Sequence, residues 1–507
     1  MKQMTKSCST LEKVSFSQFL TDFEETLKNQ FRREGDINKL SLKRGLSPAI
    51  WKEIMSNAPL SVAIPEAYGG RGSQVKECLA LMAAASYESL PLSLTFGINI
   101  ALFLEPVAKY ANEEVKAEIF NRFLTEQNMG GLMITEPEYG SDALNMKTAH
   151  KELNDCYRIK GIKHWQGLTG LADYWIIASR KALPTGDLNR DIEFFICDVT
   201  QEGQEIEVEE YFDSIGLYMI PYGRNKLNLK IPKKYKLEPE STGIKMMLDI
   251  LHRSRMQFPG MGMGFIKRML DESIAHCKNR IVGASNLLAL DQVQFQISRI
   301  QSAYTLCSAM CSRSSEISSF ENNLATQGLE ANSMKAMVAD LMQESSQLLA
   351  QMSGAKGYRI SHIGGRGVMD SRPFQVFEGS NEMLYSQIAE MVFREMKKQK
   401  RLNLLDYLKN HPLTAKVSDH FRKELNFIID AIVPQRKLVD LGKILARVIS
   451  AGYVKELYEK GFRKDLVDSC IETVEQEVAA LVSSFKFPNT NTVIYDYAEN
   501  SSWLKYS

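Results

Sequence analysis

Residues 374–382 read FQVFEGSNE, an aromatic and apolar run that sets a carboxylate, Glu378, directly before a Gly-Ser pair. Ser380 is a strong helix N-cap residue and Glu382 suits the positive end of a helix dipole, so the stretch predicts the start of a helix. On that account Glu378 is only a carboxylate at a helix entry. Its neighbours Val376 and Phe377 permit another account. Apolar side chains that draw a carboxylate out of water disfavour its charged form and make it a stronger base. The rest of the chain decides between the two.

Working outward, helical spacing of apolar residues runs from Gly243 to about Lys398, interrupted by the Gly-rich GAKGYRISHIGGRG at 354–367. Before it, YRIKGIKHW, DYWIIASR, EFFICDVT and NKLNLKIP are rich in β-branched and aromatic residues and are separated by turn formers, which predicts strands. Helical periods also fill about 10–130, broken by a turn at IPEAYGGRG (64–72), and they continue after Gln399. A chain of 507 residues exceeds the size at which one core stops growing. The expected fold is α+β and mostly α. It has an N-terminal helical domain (1–131), a central β-barrel-like domain (132–240), a C-terminal helix bundle (241–398) and a helical extension (399–507).

Composition excludes several classes. Hydrophobic residues at 44% and charged residues at 24% fit a globular enzyme and not a disordered or fibrous chain. A net charge of +1 gives no electrostatic footprint for nucleic acid or an anionic membrane. The start, MKQMTKSCSTLEK, holds no signal-like apolar run, and no uncharged apolar stretch of about 18 residues follows, so a cytoplasmic protein without an integral membrane segment is expected. The eight cysteines include no Cys-x-x-Cys pair and read as reduced structural thiols. Seven histidines without ligand spacing give no support for a protein-held metal. The glycines of GMGMG (260–264) do not spell a dinucleotide loop after a strand and are better explained by close helix packing.

Four motifs stand at the joints of this helix, sheet, bundle order: IPEAYGGRG, MITEPEYGSD (133–142), GIKHW (161–165) and FEGSNE (377–382). In that order the sequence resembles the acyl-CoA dehydrogenase family over about residues 50–397. Gln351, Gly354, Gly357, Tyr358 and Glu378 also keep the family's spacing without a gap. The resemblance implies an FAD-dependent desaturation of an acyl thioester, with Glu378 as the base that removes the α-proton. Ser254 supports this assignment. One branch of the family carries its base at that position, and Ser cannot serve there.

The resemblance further implies that Met133, Thr135, Ser141, Trp165 and Gly167 line the flavin, and that Arg280, Gln292, Gln351, Gly354, Ser380 and Asn381 contact its dinucleotide end, partly across a subunit boundary. Ser141, Arg255 and Gly379 are implied at the substrate. Trp165 otherwise reads as a buried strand aromatic, and Arg255 as an inter-helix salt bridge. The implied partners are an acyl-CoA or acyl-carrier-protein thioester, an electron-transferring flavoprotein as acceptor, and a second copy in a homodimer or homotetramer. The sequence departs from the family at Gly167, where a hydroxyl residue is usual, in RIVGASN after Arg280, at Met369, and near Gly216. Two alternatives stay open: an acyl-CoA oxidase or another flavin oxidase or monooxygenase on this fold, and a non-catalytic scaffold that uses its extension to bind a partner.

Overall fold

The structure is a computed structural model that describes residues 14–33, 45–429, 433–488 and 491–507. Its N-terminal helices are α1 (Phe16–Lys28), α2 (Pro48–Met55), α3 (Val75–Glu88), α4 (Leu90–Asn99), α5 (Glu105–Tyr110) and α6 (Glu113–Thr125). Ser15, Ser47, Ser89 and Asn112 cap α1, α2, α4 and α6 by accepting a first-turn N–H that has no partner inside the helix. Among the described residues one segment, Leu90–Tyr110, is long and apolar enough to cross a bilayer, and it is 94% buried within the fold.

The predicted strands form one curled seven-stranded sheet: β1 (Gly130–Met133), β2 (Ala149–Glu152), β3 (Cys156–Gly167), β4 (Tyr174–Lys181), β5 (Glu193–Asp198), β6 (Gln204–Tyr211) and β7 (Tyr222–Pro232). β5 pairs with one side of β4, while β1 and β2 follow one another along the other side, both parallel to it. β3 and β7 pair antiparallel over their length, with a bulge between His164 and Gln166 that pushes Trp165 out of the ladder.

The bundle comprises α7 (Gly243–Asn279), a hairpin of β8 (Ile281–Val282) and β9 (Ser285–Asn286), then α8 (Asp291–Ile317), α9 (Gly328–Met352), α10 (Ile363–Ser371) and α11 (Asn381–Lys398). The Met-rich α7 lies between α3 and α9, and GMGMG is where it fits. A Cβ on Gly260 would stand 2.8 Å from Leu79 O, on Gly264 1.9 Å from Ala83 O, and on Gly262 2.4 Å from Val338 Cγ1. The Gly-rich 354–367 stretch, expected as an interruption, differs in part, because its last glycines open α10. They are small for packing reasons: a Cβ on Gly365 would lie 2.4 Å from Gly357 O, and one on Gly367 3.0 Å from Phe265.

The extension folds as α12 (Leu404–Asn410), α13 (Arg422–Leu425), α14 (Gln435–Glu459) and α15 (Lys464–Lys486). α14 packs on α11 and α8, and α15 on α14 and α8, burying Leu441, Leu445, Ile449, Val474 and Val478 completely or nearly so. Gly442 allows the closest approach, since a Cβ there would lie 1.9 Å from Tyr385 O on α11.

Candidate active site

Glu378 occupies a turn between a short 3₁₀ segment, Arg372–Gln375, and α11. Two N–H groups, of Val376 and Phe377, converge on Pro373 O at 2.8 and 3.0 Å to close it. The chain then enters left-handed backbone at Glu378 (φ 54°) and Gly379 (φ 95°). Glycine adopts that conformation freely, but a glutamate there is held by its surroundings. Arg255 of α7 does the holding: Nη2 and Nε donate to Glu378 O at 2.7 and 3.1 Å, and Nη1 donates to Asn332 Oδ1 at 2.7 Å. Lys335 of α9, fully buried, donates to Gly379 O at 2.7 Å and to Asn381 Oδ1 at 3.0 Å. Ser380 then caps α11 by accepting Met383 N–H at 3.4 Å, as its position in FQVFEGSNE predicts.

The carboxylate is left half satisfied. Ser254 Oγ donates to Glu378 Oε1 at 2.9 Å, while Oε2 is sealed from water with no hydrogen-bond partner among the described residues. Burial pushes the Glu378 carboxyl above its ordinary value of 4.5, and the charge of Arg255, the Ser254 hydrogen bond and the charge of Lys335 pull against it. Burial likewise brings Lys335 down to about 7, opposed by the charge of Glu378. A carboxylate with a raised pKa and an uncommitted oxygen is equipped to accept a proton from a ligand.

Across from it stands the β3 bulge. Tyr222, at the start of β7, pairs with Gly167, and the charge of Glu378 reaches its hydroxyl, whose pKa burial and that charge raise. Tyr222 packs on Trp165 with ring centroids 6.4 Å apart, and Trp165 rests on Phe212 at 4.4 Å. Trp165 has φ 63° and is 53% exposed, so it is not the buried strand aromatic that was the plain alternative. Thr135 lies beside it, its carbonyl accepting from His164 N at 2.9 Å and from Gln166 Nε2 at 3.2 Å. Gln166 Oε1 is a second buried acceptor without a partner among the described residues. Gly167 is explained by packing: a Cβ would lie 2.9 Å from Ile98 Cδ1 and 3.3 Å from Tyr222 Cε1. An exposed aromatic face, open hydroxyls at Thr135 and Ser141, and two orphaned acceptors fit a flat polar-edged ring such as isoalloxazine.

Other expected site residues fall elsewhere. Met133 is buried in β1, so only its backbone is available to a ligand. Asn381 is 3% exposed and points inward, its amide donating to Ala336 O and Asp340 Oδ1, which corrects the expectation that this side chain touches the dinucleotide. Arg255, expected at the substrate, spends its guanidinium on the base's own carbonyl and on Asn332. Arg280, Gln292, Gln351 and Gly354 are exposed at the far end of the bundle. From Ser254 to Arg280 the rise of α7 alone separates them by ~39 Å, too far for one chain to hold a single flavin with both sets. Asn332, Lys335 and Asp340 escaped the sequence reading. Their signal, for Lys335 and Asp340, is a pair of ionisable residues inside the otherwise apolar run Met334–Met342 of α9.

Residues 20–127, 131–228 and 241–393 match, in turn, the N-terminal, middle and C-terminal domain families of acyl-CoA dehydrogenase. An acyl-CoA dehydrogenase of Bacillus subtilis is 22% identical over 337 residues, 66% of this chain and 86% of that protein. The CarC subunit of a caffeyl-CoA reductase-Etf complex from Acetobacterium woodii is 24% identical over 343 residues, 66% of this chain and 86% of that protein. The structure of an acyl-CoA dehydrogenase complexed with FAD from Bacillus anthracis superposes with a TM-score of 0.75 at 17% identity, covering 95% of this chain and 89% of that one. That coverage takes in most of the extension.

Proposed function

The chain belongs to the acyl-CoA dehydrogenase family, and from that premise we propose that it is an FAD-dependent oxidoreductase that desaturates an acyl thioester between its α and β carbons. The observation that carries this reading is Glu378 itself, a half-buried residue in a strained turn whose Oε2 is sealed from water and free to accept a proton, with an exposed Trp165 across from it.

FAD bound against Trp165 supplies the hydride acceptor for the substrate β-carbon. The chain's own residues do the rest. Glu378 Oε2 removes the α-proton, and its raised pKa narrows the gap to that weak acid. The Glu378 N–H takes no part in closing the turn, which Val376 and Phe377 accomplish, so it is placed to donate to a thioester carbonyl and stabilise enolate-like charge as the proton leaves. Arg255 and Lys335 hold the carbonyls of Glu378 and Gly379 and so fix where that N–H points. Arg280, Gln292, Gln351 and Gly354 serve a second copy's flavin, which makes the working unit at least a dimer. An electron-transferring flavoprotein is the proposed acceptor, in line with the reductase-Etf complex of which the Acetobacterium relative is a subunit.

The test is anaerobic addition of a panel of acyl-CoA and acyl-carrier-protein thioesters to wild type and Glu378→Gln, following the flavin spectrum. Wild type bleaches with its own substrate class and the variant does not. Equal bleaching in both removes Glu378 as the base, and rapid peroxide release in air turns the reading to an oxidase. A purified chain without flavin supports the scaffold alternative.

A further inference from the structure

The turn that carries Glu378 closes on one oxygen of the neighbouring helix. Asp340 Oδ1 on α9 accepts from Gln375 Nε2 and from Asn381 Nδ2, each at 2.7 Å. Gln375 ends the 3₁₀ segment before the base, Asn381 opens α11 after it, and Glu378 stands midway between them. Six residues of extended chain could carry those two positions ~20 Å apart, yet their side chains meet at a single atom. Asp340 Oδ2 accepts from the Tyr385 hydroxyl at 2.7 Å, and Tyr385 lies four residues after Asn381, on the same face of α11. One carboxylate therefore joins α9, the turn and the start of α11, through three bonds that its charge strengthens.

The other holds on the turn act elsewhere. Phe374 and Phe377 pack on each other with ring centroids 4.9 Å apart, and on Phe258 of α7 at 5.7 and 6.1 Å, which seats the apolar side. Arg255 and Lys335 take the carbonyls of Glu378 and Gly379 in the middle. Neither arrangement sets the distance between the two ends. A glutamate at φ 54° stays there only where its surroundings over-determine the backbone, and spreading the ends gives that backbone room to relax. Asn381 has further bonds to α9, to Ala336 O at 3.1 Å and from Lys335 at 3.0 Å. Among the described residues, the one hydrogen bond from Gln375 to α9 is the bond to Asp340.

We propose, on the reading of Glu378 as the base, that Asp340 is its positioning residue. By holding the two ends of the turn together, Asp340 fixes where Oε2 and the Glu378 N–H point relative to the thioester.

Three variants of the full-length, flavin-loaded protein test this. Asp340→Ala removes the acceptor, Gln375→Met removes the donor before the base at similar side-chain length, and Asp340→Asn keeps an oxygen for the two amides. Hydrogen exchange over 374–385 is read first, then the anaerobic rate of flavin reduction and the dissociation constant of the thioester that best bleaches wild type. Asp340→Ala is expected to speed exchange in that segment and slow flavin reduction about tenfold, and Gln375→Met to do the same with a rate loss of about threefold. Thioester affinity changes by less than about twofold in both, and Asp340→Asn recovers most of the rate and the protection. A lower denaturation midpoint with an unchanged rate per folded, flavin-loaded molecule would make Asp340 a strut of the bundle alone, and overturns the proposal. So does a rate loss in Asp340→Asn as large as in Asp340→Ala. If Asp340→Ala does not fold, Gln375→Met decides, because it leaves α9 intact. If no thioester bleaches wild type, the dehydrogenase reading falls. Faster exchange in Gln375→Met then still supports the hold of Asp340 on the turn, and unchanged exchange overturns it.

Discussion

Among the described residues two Glu–Lys neighbourhoods shift their carboxyl groups in opposite directions. In the β-domain Lys163, fully buried, donates to Glu136 Oε1 at 3.0 Å, and the two Glu136 oxygens also accept Lys147 N–H at 2.6 Å and Thr148 N–H at 2.8 Å. Burial pushes the Glu136 carboxyl up, but the Lys163 charge and these donors outweigh it and hold the pKa below the ordinary value. In the bundle Lys335 is equally buried and near Glu378, yet its ammonium is spent on Gly379 O and Asn381 Oδ1, and Glu378 Oε2 goes without. There the carboxyl rises. The same two residue types make a closed ion pair at Glu136, which is buried, and leave a carboxylate oxygen open at Glu378, which is half-buried. What separates them is where the ammonium and the backbone N–H groups are directed.

The comparison breaks most visibly if the open carboxylate is neutralised. Glu378→Gln is expected to slow anaerobic flavin reduction by an acyl thioester about a thousandfold, with the denaturation midpoint equal to or above wild type, because an incompletely satisfied buried charge has been removed. The closed pair responds the other way. Glu136→Ala strands the Lys163 charge and costs about 3–5 kcal/mol of stability, read from chemical denaturation. The rate per folded, flavin-loaded molecule changes little. The pH dependence has a definite sign. The folded pKa of Glu136 lies below its unfolded value of 4.5, so its contribution is fully present above that value and is lost as pH falls through the folded one.

A third experiment sharpens the contrast at Lys335. Its charge is one of the influences that lower the Glu378 pKa. The base works as a carboxylate, so activity rises with pH through that pKa, which already stands above 4.5. Lys335→Met removes a positive charge and is expected to move the rising limb of the rate against pH profile to higher pH and to lower the plateau about tenfold by loosening Gly379. A profile that stays in place while the plateau falls makes Lys335 a strut only.

Much of this was legible beforehand, and the reason is locality. Helices with three and four spacing, strands such as EFFICD, and the Ser380 cap are written in residues adjacent in sequence, and they appear where expected. The left-handed Glu378 was half legible: the Gly-Ser pair marked a helix start, whereas Val376, expected to help draw the carboxylate out of water, is 57% exposed. Arg255, Lys335 and Asp340 could not be assigned roles in the same way. Each acts across 35 to more than 120 residues of chain, on the carbonyls or ends of a turn whose shape exists only after the bundle closes. Asn381 shows the limit from the other side. A polar residue next to a cap looks available to a ligand, and only the packing of α9 against α11 reveals that its amide is already used.

The smallest change tests the comparison at a single hydrogen bond. Among the described residues Ser254 is the one side chain that donates to the Glu378 carboxylate, and its Oγ at 2.9 Å from Oε1 favours the charged form. In the strut, by contrast, several donors share that task, so losing one is diluted. Ser254→Ala deletes only the hydroxyl and is expected to raise the apparent pKa of the base, moving the rising limb of flavin reduction to higher pH. Well above that pKa the base is ionised in both proteins, and the rates converge to within about threefold. As the pH falls through that pKa they diverge, and the ratio grows until both proteins carry a protonated base. A rate loss of the same size at every pH would instead mean that Ser254 orients the carboxylate rather than setting its charge. The open pair would then owe its reactivity to geometry alone.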